Sequence, residues 1–390
     1  MNAMKYRINP KNHDKLSILG FGCMRFSKDE KEVEKQIIYA IENGVNYFDT
    51  AYIYPNSEAT LGRVLANGYR NRVKIATKMP LYLIKKYEDF DKILFEQLKR
   101  LQTDYIDYYF MHMLTDTHNW SRLVDIGVIR WIEEKKKSGQ IINIGFSYHG
   151  GREDFIQVVD VYDWEFCMIQ YNFLDENNQA GKTGLQYAAA NGLPVMVMEP
   201  LRGGKLVTKL PKEVYHVWET AYVKRSPAEW AFRWIWNHPE VTLVLSGMNS
   251  QAMVEENIRV ASKAEANSFT EEDYQLFSRV RKILDDKIKV PCTACNYCIP
   301  CPQGVDIPTC FSCYNDRELE GKWISKGKYI MQTSLKAKAS NASLCNKCGK
   351  CEKHCPQKIA IREELVNVSK ALEGFSYKPV RFLIKRFMKL

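Results

Sequence analysis

Two sets of residues in this chain have types and spacings suited to chemistry. The first is Asp49, Tyr54, Lys78 and His112. At 45–49 a short apolar run stops on a carboxylate, and a phenol follows five residues later at Tyr54. An ammonium beside a tyrosine lowers the phenol's pKa, and a carboxylate paired with that ammonium holds it in place. With a histidine to orient a carbonyl oxygen, the phenol can give a proton as hydride reaches the carbonyl carbon. Taken singly, each residue has an ordinary reading as a turn acid, surface aromatic, strand-end charge or core histidine. Four of the right types at three successive strand ends, with Tyr54 on the loop after the first of them, are harder to dismiss. The second set is cysteine: of 12, only Cys23 and Cys167 precede position 290, and the rest lie between Cys292 and Cys355. Such density means a disulfide scaffold or metal ligation. The polar segment 1–10 does not read as a secretion signal, which favours metal in a reducing cytoplasm.

The elements that must hold the first set follow from hydrophobic periodicity. Strands are expected at 15–24, 45–49, 73–78, 105–112, 141–146, 166–171, 194–198 and 242–246. Helices are expected at 30–42, 57–65 (N-capped by Ser57), 90–101, 120–137, 153–161, 185–190, 227–237, 251–264 and 271–286. Eight strands, each followed by a helix, predict the α/β class and a (β/α)8 TIM barrel, whose C-terminal face gathers strand-end residues into one pocket. A doubly wound sheet is the competitor, but no Gly-x-Gly-x-x-Gly follows the first strand. The barrel is expected over 1–288, a small, partly helical cysteine domain over 289–370, and a basic amphipathic tail over 371–390. From 370 to 390 there are six Lys or Arg against one Glu, and this tail is expected to pack on its own protein, with a partner or an anionic membrane as the alternative. The net charge of +10 is otherwise spread through helices such as the one holding Lys135, Lys136 and Lys137, so it marks solvated faces rather than a nucleic-acid partner. No apolar run reaches the roughly 18 residues of a membrane span.

On these residues the chain resembles the aldo-keto reductases, whose catalytic tetrad is Asp, Tyr, Lys, His in this order. The resemblance runs from about residue 18 to 264. It rests on Gly20-Phe21-Gly22-Cys23-Met24, the run Asp49-Thr50-Ala51-x-x-Tyr54-x-x-Ser57-Glu58, Ile144-Gly145-Phe146-Ser147, Tyr171-Asn172, Pro200-Leu201, Gly247-x-Asn249 and Glu256-Asn257. It implies interconversion of a small carbonyl compound and its alcohol with NADP or NAD. Tyr54 is then the acid/base, Lys78 its pKa modulator, Asp49 the partner of the lysine and His112 the orienter. The implied cofactor contacts are Gly22, Met24, Asp49, Ser147, Gln170, Met198, Leu201, Gly247, Asn249, Glu256 and Asn257. The sequence departs from the family at this pocket. Tyr148 follows Ser147 where the family has Asn, and Met168 stands at the Gln position, with Gln170 two residues on and on the same face. Met198 replaces the usual stacking aromatic, and Met253 replaces an Arg that grips the 2′-phosphate. These changes weaken NADP against NAD and leave a flavin as an alternative planar cofactor.

The cysteines resemble those of bacterial ferredoxins with two [4Fe–4S] clusters: Cys345-x2-Cys348-x2-Cys351-x3-Cys355-Pro356, and upstream Cys292-x2-Cys295-x2-Cys298-x2-Cys301-Pro302. By that resemblance Cys292, Cys295, Cys298 and Cys355 hold one cluster, and Cys345, Cys348, Cys351 and Cys301 the other. The first run is one residue short before its Cys-Pro, and zinc is the alternative metal. Cys310 and Cys313 are left over and expected as buried or idle thiols, with a zinc half-site or a redox pair as alternatives, and Cys23 and Cys167 as barrel packing. Barrel and cysteine tail together resemble the aldo-keto reductases fused to a ferredoxin-like C-terminal domain. The clusters would be structural or electron-transferring. Two other functions stay open: an electron-transfer protein using the barrel as docking or cofactor-binding body for a redox partner such as ferredoxin, and a non-catalytic subunit resembling potassium-channel β subunits. Substrate choice would lie in the loops at 113–119 and 202–222.

Overall fold

A computed structural model describes residues 3–208, 210–286, 288–292, 298–335, 338–355 and 358–388. The chain divides into two compact units, residues 1–206 with 225–270, and residues 207–224 with 271–390.

In the first unit, β1 (Tyr6–Ile8) and β2 (Lys15–Ser17) form an antiparallel hairpin. Eight further strands form a closed, all-parallel barrel: β3 (Leu19–Gly22), β4 (Tyr47–Asp49), β5 (Lys74–Pro80), β6 (Ile106–Leu114), β7 (Ile141–Tyr148), β8 (Phe166–Gln170), β9 (Val195–Met198) and β10 (Val241–Ser246), with β10 pairing to β3. The expected barrel is therefore present. Helices α1 (Glu30–Glu42), α2 (Ser57–Leu65), α3 (Glu88–Leu101), α4 (Thr117–Ile126), α5 (Val128–Lys137), α6 (Arg152–Asp160) and α7 (Gly181–Ala190) alternate with the strands.

Because strand side chains alternate, every second residue points into the barrel. Tyr47, Ala76, Tyr108, Phe110, Phe166, Met168, Met196, Leu243 and Leu245 fill the interior with Leu16 of β2. Tyr108 and Phe110 meet Phe166 edge-on at 5.0 and 4.7 Å, which seals the layer beneath the strand ends.

Three local expectations change. The stretch 15–24 is two strands, because Leu16 belongs to the hairpin while β3 begins at Leu19 in the barrel ladder. The helix expected over 120–137 breaks at Gly127, whose φ of 104° ends α4 and starts α5. Ser57 is the first residue of α2 and Asn56, in the left-handed conformation, precedes it.

α8 (Lys205–Thr208) and α9 (Lys212–Glu219) follow β9, and α10 (Pro227–Trp236) and α11 (Gln251–Ala261) flank β10. In the second unit α12 (Glu271–Asp285) packs on α9 through Trp218 and Phe277, with ring centroids 5.0 Å apart. The other described elements there are helical: α13 (Ile307–Glu320), α14 (Lys322–Ser334), the short α15 (Lys350–Lys353), α16 (Ile361–Leu372) and α17 (Tyr377–Met388). They close over a core containing Val305, Phe311, Tyr329, Ile330, Leu365 and Val368.

Candidate active site

The inward positions of the barrel continue upward into the polar set. Tyr47 is followed two residues on by Asp49, Ala76 by Lys78, and Phe110 by His112, so the same alternation that builds the core aims these three at one pocket. Lys78 is paired in register with Phe110, and His112 with Pro80. A register shift in β6 between Met111 and Leu114, with Met113 at φ 62°, turns the chain just past His112.

Lys78 is the centre of the arrangement. Its ammonium forms a buried ion pair with Asp49 and donates to the Thr50 carbonyl at 2.7 Å. It lies 5.4 Å from the centroid of the Tyr54 ring and 5.2 Å from that of Phe110. His112 meets the Tyr54 ring edge-on, with centroids 6.4 Å apart. Asp49, Lys78 and His112 are buried, and Tyr54 is half-buried. Two buried atoms, Asp49 Oδ2 and His112 Nδ1, have no hydrogen-bond partner among the described residues. Orphaned polar atoms of this kind cost about 1–3 kcal/mol each, and a catalytic role or a bound water or ligand is among the reasons a native structure keeps them.

Burial and neighbours set the proton states. Burial, then the Lys78 ammonium and His149, hold the His112 imidazole well below the usual histidine range, so it is neutral. Burial raises the Asp49 carboxyl, opposed by the charge and hydrogen bond of Lys78. For Tyr54 the net direction is upward, because burial outweighs everything else and Asp49, Cys23 and Glu199 add to it. The expected lowering of the phenol by a cation is thus overridden on balance, and the cation that does oppose the rise is Arg25. The phenol is a firmly held proton source rather than a phenolate.

The turn carrying Tyr54 is fixed from behind. Ser57 Oγ donates to the Cys23 carbonyl at 2.9 Å and accepts from Thr50 Oγ1 at 2.7 Å. Buried Glu58 accepts from Thr77 (2.6 Å), Gln97 (2.9 Å) and Arg100 (3.1 Å), tying α2 to β5 and α3. Neither periodicity nor motif spacing marks this network or Arg25, whose guanidinium lies against Gly203. Glu58 carried a signal, since an acid on an otherwise apolar helix face requires partners.

The expected cofactor contacts are placed as follows. Gly22 and Gly247 lie where β3 and β10 end side by side, and a Cβ on Gly22 would stand 3.3 Å from the Ser246 carbonyl oxygen. Met24, Gly247 and Asn249 are exposed, while Met198 and Leu201 are half-buried. Ser147 is buried and accepts the Met113 N–H at 2.9 Å, which places it beside the His112 turn. Gln170 faces inward but is engaged, donating to Asp175 at 2.8 Å and accepting from Gln179 at 2.7 Å. Asp175 also forms a buried ion pair with Arg202. Asn257 donates to Ser246 at 3.0 Å, and Glu256 accepts from Ser226 at 2.6 Å. Met168 is interior core, Tyr148 is buried with its hydroxyl on the Gly151 carbonyl, and Met253 is exposed on α11.

In the second unit Cys292, Cys298, Cys301, Cys345, Cys351 and Cys355 are half-buried around the helical core, and Cys348 is exposed. The charges of Cys345 and Cys301 help raise the Cys351 thiol, after burial and Glu352, so these three thiols stand within electrostatic reach of one another. Cys295 lies outside the described residues. Among the described residues no cysteine is disulfide-bonded, and no three metal-ligating side chains are drawn together closely enough to hold an ion as they stand. Cys310 and Cys313 are buried in α13, with the Cys313 thiol on Gln332 Oε1 at 3.4 Å.

Residues 18–281 match the sequence profile of the Aldo/keto reductase family. An "Uncharacterized oxidoreductase YrpG" of Bacillus subtilis is 28% identical over 54% of this chain and 70% of its own length. Glycerol 2-dehydrogenase (NADP(+)) of Saccharomyces cerevisiae is 26% identical over 42% of this chain, which spans only 45% of that enzyme. Among solved structures, the holo form of aldo-keto reductase AKR11C1 from Bacillus halodurans superposes with a TM-score of 0.61 at 26% identity, covering 71% of this chain and 96% of that one.

Proposed function

The chain belongs to the aldo/keto reductase family, and from that premise we propose that it reduces a small carbonyl compound to its alcohol, or the reverse, using NADPH or NADH. The observation that carries this is the buried Lys78–Asp49 pair beneath the Tyr54 ring, with neutral His112 against its edge. Bound NAD(P)H would supply the hydride. His112 donates a hydrogen bond to the carbonyl oxygen and orients it. Tyr54 gives that oxygen its proton, and the phenolate charge so formed develops beside the Lys78 ammonium, which Asp49 and the Thr50 carbonyl hold in place. Solvent returns the proton to Tyr54. Electrostatics therefore act when charge appears, although burial keeps the resting phenol protonated.

The residues present fit a dinucleotide in part. The close backbone approach of β3 and β10 at Gly22 leaves little room for a side chain, and Asp49 Oδ2 offers a buried acceptor to a ligand hydroxyl. Met253 offers no charge for a 2′-phosphate, so NADH suits the site as well as NADPH. The yeast relative's name supports the nucleotide class.

We further infer that the cysteines hold two [4Fe–4S] clusters, in the sets 292, 295, 298 with 355, and 345, 348, 351 with 301. The two Cys-Pro-terminated runs carry this inference, and Cys301 stands near enough to add to the rise of the Cys351 thiol, 50 residues on, after burial, Glu352 and Cys345. Such clusters carry single electrons or brace a fold. This donor set also favours a second reading, in which the clusters exchange electrons with the nucleotide site.

One experiment separates these. The protein is purified anaerobically, titrated with NADH and NADPH by fluorescence, and assayed on a panel of aldehydes and ketones, alongside Tyr54→Phe. The proposal expects nucleotide binding in both proteins, and carbonyl turnover that falls about 10²–10⁴-fold in the variant. Bleaching of visible absorption on adding nucleotide would establish the electron-transfer reading. Failure of both nucleotides to bind would overturn the proposal.

A further inference from the structure

The second unit presents a surface that neither carbonyl reduction nor cysteine ligation uses. On α17, Tyr377, Val380 and Ile384 recur at helical spacing and pack against the core, so that face is satisfied within the protein. The opposite face is not. Phe382 and Leu383 are each 62% exposed, Arg386 lies between them around the helix, and Phe375 stands fully exposed just before the first turn. The patch extends onto α14. Lys326 donates to Ser376 at 2.7 Å and lies 5.9 Å from the ring of Trp323, itself 65% exposed.

The charge carried by these two stretches of sequence has one sign. Residues 322–334 and 374–390 hold eight Lys or Arg and no Asp or Glu. Glu373, the nearest acid in sequence, is turned inward to Tyr329, Asn341 and Ser343. The backing is firm as well, since the hydroxyls of Ser334 and Tyr377 bond at 2.6 Å.

We propose that this face docks on anionic phospholipid. A basic amphipathic helix with Phe and Leu on its outer face lies in the headgroup plane, apolar side chains in the acyl boundary and cations on the phosphates. A Trp at the same edge is an interfacial anchor. An acidic protein surface would meet the cations, but would have to supply apolar pockets for Phe375, Phe382 and Leu383 besides. The headgroup layer satisfies both at once. The inference does not depend on the reaction at the barrel.

The test is sedimentation of the full-length protein with vesicles of phosphatidylcholine and phosphatidylglycerol, and with vesicles of phosphatidylcholine alone. Binding is expected to the mixed vesicles only, and to weaken as salt rises. Phe382→Glu with Leu383→Glu should weaken it at least about tenfold, with far-UV circular dichroism unchanged because both positions are exposed. Lys378→Glu with Arg386→Glu, which leaves every apolar contact in place, should do the same and guards against a folding defect in the first variant. No binding to mixed vesicles, equal binding to both kinds, or binding only to an acidic soluble protein such as a ferredoxin would overturn the proposal.

Discussion

Lys78→Met isolates the interaction on which the barrel site is built. The substitution keeps the length of the side chain and removes its charge. Asp49 then loses its ion-pair partner, while its Oδ2 already has none among the described residues, and the Thr50 carbonyl loses its donor. Breaking a buried pair from one side costs about 3–5 kcal/mol, against a total stability of about 5–15 kcal/mol for a typical domain. The loss has a pH signature. Burial already raises the Asp49 carboxyl, and Lys78 is the group that opposes the rise, so the variant's carboxyl climbs further. A carboxyl whose folded pKa exceeds its unfolded value of about 3.9 favours the fold when protonated. That contribution is complete below the unfolded value and is lost as pH rises through the folded one. The deficit of Lys78→Met relative to the parent should therefore be largest at about pH 8 and shrink towards about pH 5. The double variant Lys78→Met, Asp49→Leu removes both charges and should recover a large part of the loss, because an apolar replacement of a buried pair is often neutral. The assay is urea unfolding followed by tryptophan fluorescence at both pH values. A deficit independent of pH, or a double variant as unstable as the sum of the singles, would refute the reasoning.

Three further outcomes follow from named contacts. His112 is depressed by burial and by Lys78, so its neutral form stabilises the fold above about pH 6.5 and that stability is lost on acidification. His112→Asn should flatten this acid-side fall in the urea midpoint. Glu58→Ala strips the shared acceptor from Thr77, Gln97 and Arg100 and should cost about 3 kcal/mol, read as a lower urea midpoint with an unchanged slope. Cys345→Ser should lower the iron bound per chain by about half, whereas Cys310→Ser, buried in α13, should leave it unchanged, both measured by elemental analysis.

Much of the barrel was legible because its signals are local. A buried parallel strand is a short apolar run, and the residue two beyond an interior side chain must share its direction. That rule alone leads from Tyr47 to Asp49, from Ala76 to Lys78 and from Phe110 to His112. Gly127 was visible as a residue but not as a break, since the amphipathic pattern runs across it and only the packing of α4 and α5 shows where the chain turns. Leu16 and Leu19 lie in one apolar run, and the barrel ladder rather than the sequence divides them between hairpin and β3.

The order of strands and helices, and the choice of side chains that face the barrel mouth, are set locally, for they depend on periods of two and 3.6 residues. What each of those side chains experiences there depends on the packed fold. Gln170 has the right type and direction for a cofactor amide, yet Asp175 and Gln179 engage it across loop contacts that no periodicity reveals. Tyr54 has a lysine for a neighbour, yet its proton is held more tightly than in water, because burial, with Asp49, Cys23 and Glu199, outweighs Arg25, the cation that opposes the rise. Direction along a strand is a property of adjacent residues; solvation and field are properties of everything nearby in space.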